Sequence, residues 1–286
     1  MSDTAVILIN YNNYQVTLDC IRSILNSTYA CDIIVVDNSE NEDDYKKLKA
    51  LDDQIIVLRP GSNVGFAAGN NLGLRTAIKH GYDYFVILNN DTVIDSSMID
   101  ELKKYCDDKT ICLPVMYYYY DKEKIWYAGG KINKYKGSVQ HINAIISNRP
   151  YRTEYVTGCC FMISRNALIR TGFFDEQYFM YCEDWDFSMK LIANNYSALI
   201  VPQARLWHKV GESSKKISGS VIYYNNRNRI KLIKKFRKYF STVTLPYIYL
   251  SRIGKILRLL LKGDRSAKYY FRGLVDGIKG KSGRVS

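Results

Sequence analysis

The 286-residue chain has no C-x-x-C pair and only three histidines, so it lacks the ligand pattern of a structural zinc site. Its seven cysteines are odd in number and scattered along the chain. This usage favours reduced, buried thiols in a cytosolic protein over a disulfide framework. A hydrophobic content of 47% and a charged content of 24% exclude a disordered chain.

Long hydrophobic runs are also missing. No stretch reaches the roughly 18 uncharged apolar residues of a membrane-spanning helix. The first four residues carry no basic group, and the apolar run at 5–9 is too short for the core of a signal peptide. We therefore expect a cytoplasmic protein without a secretory signal or a transmembrane segment.

The positive charge of the chain is concentrated at one end. Residues 1–204 contain 20 Lys and Arg against 25 Asp and Glu, whereas residues 205–286 contain 21 against three. The formal net charge of +13 therefore comes from the C-terminal part. A near-neutral body with a basic tail indicates an anionic partner, either a membrane surface or a nucleic acid.

Strand-like and helix-like segments alternate over the first 90 residues. Short apolar runs at 5–9, 32–36, 54–58 and 84–88 are typical of buried strands, and amphipathic segments separate them. This order predicts an α/β fold with a mostly parallel sheet flanked by helices. After about residue 220 the chain is predicted to be helical and strongly basic.

Polar side chains follow three of these strands. They are Asn10 and Tyr11 after the first, Asp37 after the second, and Asn89, Asn90 and Asp91 after the fourth. The carboxyl ends of parallel strands share one edge, which is where open α/β sheets bind ligands. Turn formation is the alternative for each cluster alone, but three clusters on one edge favour a site. Asp91 suits a hard divalent cation.

Glycines recur every fourth residue in a segment that spans positions 61–73 and includes Asn63, Gly65 and Asn70. This spacing lets a helix pack closely on the sheet and lets its backbone approach a phosphate. The segment matches neither the G-x-G-x-x-G pattern nor the P-loop. A dinucleotide or ATP site is therefore disfavoured.

Two further candidates lie beyond residue 150. Glu183, Asp184 and Asp186 cluster at the start of a predicted helix, where a carboxylate beside other acids can have the raised pKa of a general base. Solvated helix-start acids are the alternative. His208 follows an apolar strand and is a candidate metal or phosphate ligand, although a lone histidine is more often an ordinary polar residue.

Taken together, these segments resemble family 2 glycosyltransferases with the GT-A fold, over residues 5 to about 235. In chain order, the similar segments are residues 6–12, residues 36–39, the glycine-rich residues 63–70, Asn89-Asn90-Asp91 in place of a D-x-D metal motif, residues 183–186, and residues 208–213 as an H-x-x-G-x-S element. The motifs L-N-N-D at residues 88–91 and F-D-E-x-x-F-x-Y-x-E-D at residues 174–184 are similar to those of a rhamnosyltransferase-like branch of the family.

The resemblance implies an inverting hexosyltransferase. It makes Asp184 the catalytic base, with Glu183 and Asp186 in possible support. It implies that Asp91 and His208 hold Mn²⁺ or Mg²⁺, although Asn89 adds no charge where the family has an aspartate. It assigns nucleotide-sugar binding to Asn10, Tyr11, Asp37, Asn63, Gly65, Asn70, Asn89 and Asn90.

The expected domain layout is a catalytic GT-A domain at 1–215 and a basic amphipathic helical tail at 216–286. Within the domain, about 1–110 would hold the nucleotide sugar and about 111–215 the acceptor. Ile253, Ile256, Leu257 and Leu260 share a helical face, which predicts docking of the tail on an anionic membrane. A helix packed on the protein or on a second subunit, as in a homodimer, is the alternative.

The implied reaction moves rhamnose from dTDP-rhamnose to a lipid-linked saccharide, in capsular, O-antigen or cell-wall polysaccharide synthesis at the inner face of the cell membrane. A UDP-hexose donor is the alternative within the family. A nucleic-acid-binding protein would explain the basic tail but leaves Asp37, Asp91 and Asp184 unexplained. A sugar nucleotidyltransferase would need a basic, glycine-rich loop after the first strand, which residues 9–13 lack.

Overall fold

Four parallel strands form the first half of the main sheet in the computed structural model, which describes residues 2–51, 55–210 and 219–285. The three inner strands are short runs of β-branched and other apolar residues buried on both faces, as expected for a parallel sheet covered by helices, whereas the edge strand is only partly buried. The elements are β1 (Thr4–Asn10), α1 (Tyr14–Leu25), β2 (Asp32–Asp37), α2 (Asp43–Lys49), β3 (Ile55–Leu58), α3 (Gly65–Lys79) and β4 (Tyr84–Asn89).

The second half is mixed rather than parallel. Its elements are β5 (Thr92–Ile94), α4 (Met98–Lys103), β6 (Thr110–Tyr118), β7 (Asp121–Tyr127), β8 (Gly130–Asn133), β9 (Ser138–His141), β10 (Tyr151–Arg152), β11 (Cys160–Ser164), α5 (Arg165–Thr171), α6 (Glu183–Ala193) and β12 (Ser197–His208).

The strands of the main sheet follow the order β10-β12-β6-β11-β4-β1-β2-β3, with β5 on β12 and β7 on β6. Strands β1 to β4 pair in parallel, as the alternation predicts. Strand β11 runs antiparallel to both β4 and β6 and joins the two halves. The predicted α/β architecture with helices flanking the sheet is therefore confirmed. Strands β1 to β4 are all parallel, and in the second half β6 and β12 form a long parallel pair among antiparallel ones.

The short apolar run at 199–201 predicts only a short strand, whereas β12 is much longer. It covers 12 residues and its register against β6 shifts between Val201 and Arg205. Pro202 lies in this bulge, and a proline inside an apolar run hides a continuous strand from sequence reasoning.

Three helices in residues 219–285 pack on the body. They are α7 (Gly219–Lys235), α8 (Thr244–Leu261) and α9 (Ala267–Ile278), with a short 3₁₀ helix at Arg237–Tyr239. Ile230 and Ile233 of α7, Ile256 of α8 and Leu274 of α9 belong to the same buried cluster as β1. The predicted domain boundary at 215/216 lies outside the described residues.

Helix α8 has one buried and one exposed apolar face. Ile248, Ile256 and Leu259 are buried, whereas Ile253, Leu257 and Leu260 are exposed. The prediction that Ile256 shares the outer face is therefore wrong, because this residue packs into the core. Among the described residues, no helix combines the length and apolar character needed to cross a membrane.

Candidate active site

The polar ends of β1, β2 and β4 lie side by side at one edge of the sheet. The register pairs Asn10 with Asp37 and places Asn89 beside Ile9, the residue before Asn10. The three clusters predicted to share an edge are therefore brought together by the parallel pairing of these strands. Tyr11 extends from this edge and is 46% exposed.

Asp37 is buried, and its two carboxylate oxygens differ. Oδ1 accepts hydrogen bonds from Nδ2 of Asn10 at 2.8 Å and from Oγ of Ser39 at 2.6 Å. Oδ2 is also buried but has no hydrogen-bond partner within residues 2–51, 55–210 and 219–285. A buried acceptor without a partner is costly, so this oxygen is suited to receive a donor such as a base N–H or a ribose hydroxyl.

The glycine-rich segment positions α3 against the sheet. A Cβ atom on Gly73 would lie 2.6 Å from Cγ2 of Ile7, and one on Gly65, whose φ is +86°, would lie 2.3 Å from the carbonyl oxygen of Phe179. Asn63 Oδ1 accepts a hydrogen bond from Gly65 N, and Asn70 Nδ2 donates to the carbonyl of Phe66. These contacts assign close packing to the segment; the predicted role of Asn63, Gly65 and Asn70 in donor binding stays a prediction.

A tight turn joins β4 to β5 and places Asp91 next to His208. Strand β5 pairs with β12 so that Thr92 lies opposite His208, and Lys209 N donates to the Asp91 carbonyl at 2.8 Å. The distance from His208 Nε2 to Asp91 Oδ1 is 3.1 Å. The two predicted metal ligands, 117 positions apart in the printed sequence, therefore meet at the same edge as Asp37.

The rest of the triplet supports this turn. Asn90 Nδ2 donates to Thr17 Oγ1 at 2.7 Å, and Thr17 in turn donates to Asn10 Oδ1 at 2.7 Å. The backbone N–H of Asn89 donates to the carbonyl of Cys159 at 2.8 Å. Thr17 thus connects the ends of β1 and β4, a contact that the sequence pattern does not indicate.

His208 is held in an electrostatically unusual position. Burial disfavours the imidazolium, but Cys159 and the Asp91 carboxylate more than offset it and raise the pKa of His208 to about 10. The ring of Trp126 packs edge-on against it at 4.6 Å between centroids. Once the Nε2 proton is released, one carboxylate and one neutral imidazole form a donor set that suits Mn²⁺ or Mg²⁺ with phosphate oxygens as further ligands, so cation binding here would be coupled to loss of that proton. Within the described residues, no group of three or more acidic, histidine or cysteine side chains could hold a metal alone.

Asp184 lies in the first turn of α6 with hydrogen bonds to both oxygens. Oδ1 accepts from the backbone N–H of Trp185 at 2.7 Å, and Oδ2 accepts from the Tyr155 hydroxyl and from Gly158 N at 3.3 Å. Burial raises the pKa of Asp184 above its ordinary value, while these hydrogen bonds favour the carboxylate. This environment is suited to a general base.

The turn before α6 is strained. Tyr181 and Cys182 have φ values of +66° and +71°, which side chains rarely adopt. Asn228 of α7 stabilises this turn, because its Nδ2 donates to the carbonyls of Met180 and Tyr181, each at 2.9 Å. Asn228 therefore fixes the entry to the helix that carries Asp184, and no sequence signal points to it.

The neighbouring acids have different surroundings. Glu183 is buried, and burial together with Asp184 raises its pKa well above the ordinary value. Asp186 is fully buried and forms ion pairs with Lys235 at 2.6 Å and Lys190 at 3.7 Å. Lys235 also contacts Asp175 at 2.8 Å. Asp186 therefore ties α6 to α7, and none of these ion-pair contacts involves Asp184.

A cavity of about 440 Å³ opens beside Asp184. Its wall is formed by the β8–β9 hairpin, the start of α6, and helices α7 and α8. Tyr155, Glu183, Asp184 and Trp185 line it, together with two arginines, Arg229 and Arg252. The space can hold a sugar-sized molecule with a hydroxyl next to Asp184.

Comparison with known proteins agrees with this geometry. The family model described as "Glycosyl transferase family 2" matches residues 5–172. The dTDP-rhamnosyl transferase RfbF of Shigella flexneri is 24% identical over 99% of this chain and 97% of its own length. An N-acetylglucosaminyl-diphospho-decaprenol L-rhamnosyltransferase of Mycobacterium tuberculosis is 35% identical, but over only 24% of this chain and 22% of its own.

Two solved structures show the same fold. The chain superposes on GalNAc-T7, solved with UDP, GalNAc and Mn²⁺, with a TM-score of 0.65 and 16% identity over 81% of this chain and 47% of that one. It superposes on the mannosyltransferase PcManGT of Pyrobaculum calidifontis, solved with GDP-Man and Mn²⁺, with a TM-score of 0.60 and 14% identity over 96% and 87%. The fold is therefore the GT-A fold of nucleotide-sugar-dependent glycosyltransferases.

Proposed function

This chain belongs to glycosyl transferase family 2 and is a hexosyltransferase, and we propose that it moves rhamnose from dTDP-rhamnose to a lipid-linked saccharide with inversion. We choose rhamnose because the chain is similar to RfbF along nearly the full length of both chains. The product would contribute to a cell-surface polysaccharide: capsule, O-antigen or cell wall.

The donor would bind at the strand edge. The buried Oδ2 of Asp37 would accept a hydrogen bond from the nucleoside, with Asn10 and Ser39 holding the carboxylate in place. Tyr11, at the same edge and partly exposed, would cover the base. Thymine, uracil and the purines all carry an N–H that Asp37 could bind, so this contact supports a nucleoside without choosing between dTDP and UDP.

Asp91 and His208 would hold a divalent cation. Their facing Oδ1 and Nε2 atoms are one carboxylate and one imidazole donor at the edge where the donor diphosphate would lie. A cation bound there would neutralise the charge of the departing nucleoside diphosphate. The Mn²⁺ in the GalNAc-T7 and PcManGT structures is consistent with this assignment.

Asp184 would act as the general base. The acceptor hydroxyl would lie in the cavity beside it and attack the anomeric carbon of the donor. The bond from that carbon to the diphosphate breaks, the nucleoside diphosphate leaves, and the hydroxyl proton passes to Asp184. Burial and the neighbouring Asp184 raise the pKa of Glu183 well above its ordinary value, so Asp184 is the better candidate for the base.

The enzyme would work while attached to the inner face of the cell membrane. Helix α8 exposes Leu250, Ile253, Leu257 and Leu260, and exposed basic residues flank them, namely Lys255, Arg258 and Lys262. An apolar stripe bordered by positive charge is typical of helices that lie on anionic lipid. A lipid-linked acceptor would then be reached without leaving the surface.

A donor screen and a transfer assay together test this proposal. Thermal shifts would be measured with dTDP-rhamnose and with UDP-glucose, UDP-galactose and UDP-N-acetylglucosamine, each with Mn²⁺ or Mg²⁺. We expect the largest stabilisation with dTDP-rhamnose and metal, and transfer of rhamnose to N-acetylglucosaminyl diphosphate on a short alkyl chain. If only a UDP-hexose stabilises the protein and is transferred, that hexose is the donor sugar and rhamnose is ruled out.

The base is tested by Asp184→Asn, which keeps the shape of the side chain. Transfer should fall by about 10²–10⁴-fold, while the thermal shift with the donor should stay as in the wild type. Turnover at the wild-type rate would show that another group accepts the proton.

A further inference from the structure

Two arginine side chains face the cavity beside Asp184 without an acidic partner. Arg229 of α7 donates through Nε to the carbonyl of Gly137 and through Nη2 to that of Lys136, each at 2.6 Å. Arg252 of α8 has a buried Nε that finds no hydrogen-bond acceptor in the described ranges. In the same ranges, neither guanidinium forms an ion pair with a carboxylate.

The two positive charges also repel each other. Burial lowers the pKa of Arg229, and the nearby Arg252 lowers it further, to about 10. Burial likewise lowers the pKa of Arg252. Both groups remain charged at neutral pH, so the fold holds two partly buried cations close together. An anion placed between them would relieve that repulsion and satisfy the vacant N–H.

The position of the cavity indicates which substrate brings the anion. Asp184 lies in its wall, but Asp37, Asp91 and His208 do not. The donor diphosphate is assigned to the edge that holds those three residues. An anion at Arg229 and Arg252 therefore belongs to the acceptor side of the site.

Helix α8 connects this cavity with the exposed apolar surface. Arg252 lies one turn from the buried Ile248 and Ile256 and so shares their face, whereas Leu250 and Leu257 lie on the exposed face. A molecule with its apolar chain against the outer face of α8 could place its head group in the cavity. Lipid carriers joined to a sugar through phosphate have this construction.

We propose that Arg229 and Arg252 bind the phosphate or diphosphate group through which the acceptor sugar is joined to its lipid. The inference rests on the proposed function for the identity of the acceptor. The arginines would set the distance between the lipid anchor and Asp184, and so select the sugar next to the phosphate for reaction.

Binding of simple probes tests the site without any sugar. Isothermal titration calorimetry would compare decyl diphosphate, inorganic pyrophosphate and the uncharged octyl glucoside, each below its micelle concentration. The main variant is Arg252→Gln, because Arg229 also holds the β8–β9 connection through Gly137 and Lys136. Arg170→Gln is the matched control, since it removes the same charge from an exposed position on α5 that does not line the cavity.

We expect the wild type to bind decyl diphosphate more tightly than pyrophosphate and to bind octyl glucoside weakly. Arg252→Gln should weaken decyl diphosphate binding about tenfold or more, and Arg170→Gln by less than about twofold. Binding of dTDP with Mn²⁺ should be unchanged in both variants. If Arg252→Gln unfolds early in a thermal scan, Arg252→Lys keeps the charge and should weaken binding about threefold through loss of the forked contact.

Three results would overturn the assignment. The first is that the wild type does not bind decyl diphosphate. The second is that it binds pyrophosphate as tightly as decyl diphosphate, which would indicate a site for a free anion. The third is that Arg252→Gln loses dTDP binding as much as decyl diphosphate binding, which would place the arginine at the donor. Each is independent of the transfer assay. Rhamnosyl transfer could therefore succeed while this inference fails, or the reverse.

Discussion

The hydroxyl of Tyr155 controls the proton affinity of Asp184 without belonging to the reacting groups. Its hydrogen bond to Oδ2 favours the carboxylate and so opposes the effect of burial, which raises the pKa of Asp184. A base must be deprotonated, so activity should be lost as the pH falls through this pKa. Tyr155→Phe removes one bond to the charged form and therefore raises the pKa.

We expect Tyr155→Phe to move the acid limb of the kcat profile to higher pH and to reduce kcat at neutral pH about threefold to tenfold. The measurement is kcat between pH 5 and 9, a range chosen to span the ordinary titration of buried carboxyls. Tyr151→Phe is the matched control, because the Tyr151 hydroxyl donates to the carbonyl of Ala128 instead. An acid limb that stays in place would show that Tyr155 does not act through Asp184.

The assignment of Asp91 as a metal ligand can be tested by replacing this one side chain. Asp91→Ala removes the carboxylate that faces His208 and should weaken Mn²⁺-dependent binding of dTDP about tenfold or more, because one charged ligand is lost. Binding measured in EDTA should change little. Asp43→Ala removes the same charge from an exposed position on α2 and should leave both values unchanged. Equal affinity of Asp91→Ala with and without Mn²⁺ relative to the wild type would contradict the metal assignment.

The sequence predicts the titratable members of the site better than their supports. Asp37 and Asp91 follow apolar strands, and Asp184 begins a helix, so each is recognisable from its local position. Tyr155 is 29 residues from Asp184, and Asn228 is 47 residues from Tyr181. Their roles depend on how distant segments pack, which no local pattern encodes.

At the level of secondary structure, α6 depends on α7 for its starting geometry. The left-handed residues Tyr181 and Cys182 cost free energy, which the two hydrogen bonds from Asn228 help to offset. Asn228→Ala would leave two carbonyls without a donor. We expect about 1–3 kcal/mol lower free energy of unfolding and a lower kcat, because Asp184 would lose its fixed position.

Chemical denaturation and steady-state kinetics measure the two effects of Asn228→Ala. Asn194→Ala, at the exposed other end of α6, is the control and should change the free energy of unfolding by less than about 0.5 kcal/mol. A variant that loses stability but keeps kcat would show that the turn before α6 does not position the base.

The pairing of the strands explains why some of them can be predicted from the sequence and others cannot. Strands β1, β2 and β4 are continuous apolar runs between polar turns, so their type and their shared edge follow from local pattern. Strand β12 contains Pro202 and a bulge, and it pairs with residues about 90 positions away in β6 and about 114 positions away in β5. Without that strand, His208 could not be placed beside Asp91 from spacing alone.

For the whole molecule, the C-terminal helices form part of the core and also carry the basic surface. Removing residues after about 240 would take Ile248, Ile256 and Leu274 out of the buried cluster. Such a truncation would expose the core, so its effect on membrane binding could not be separated from unfolding. Point variants on the outer face of α8 avoid this problem.

The last prediction therefore concerns Leu257 and Leu260, which are 57% and 61% exposed. Replacing both with Glu should leave the thermal unfolding temperature nearly unchanged, because neither side chain packs in the core. Binding to vesicles with about 30% anionic lipid should fall tenfold or more, because two apolar anchors become negative charges beside the acidic head groups.

Vesicle sedimentation at low and at physiological salt measures this binding, and Ile169→Glu is the control, since Ile169 is similarly exposed on α5. Wild-type binding to the vesicles should also weaken as the salt concentration rises, because salt screens the attraction between the anionic lipid and residues 205–286, which contain 21 basic and only three acidic residues. The double variant should keep binding of dTDP with Mn²⁺, since Asp37, Asp91 and His208, the residues assigned to the donor, do not line the cavity at α8. Undiminished vesicle binding by the double variant would show that the exposed face of α8 does not hold the protein on lipid.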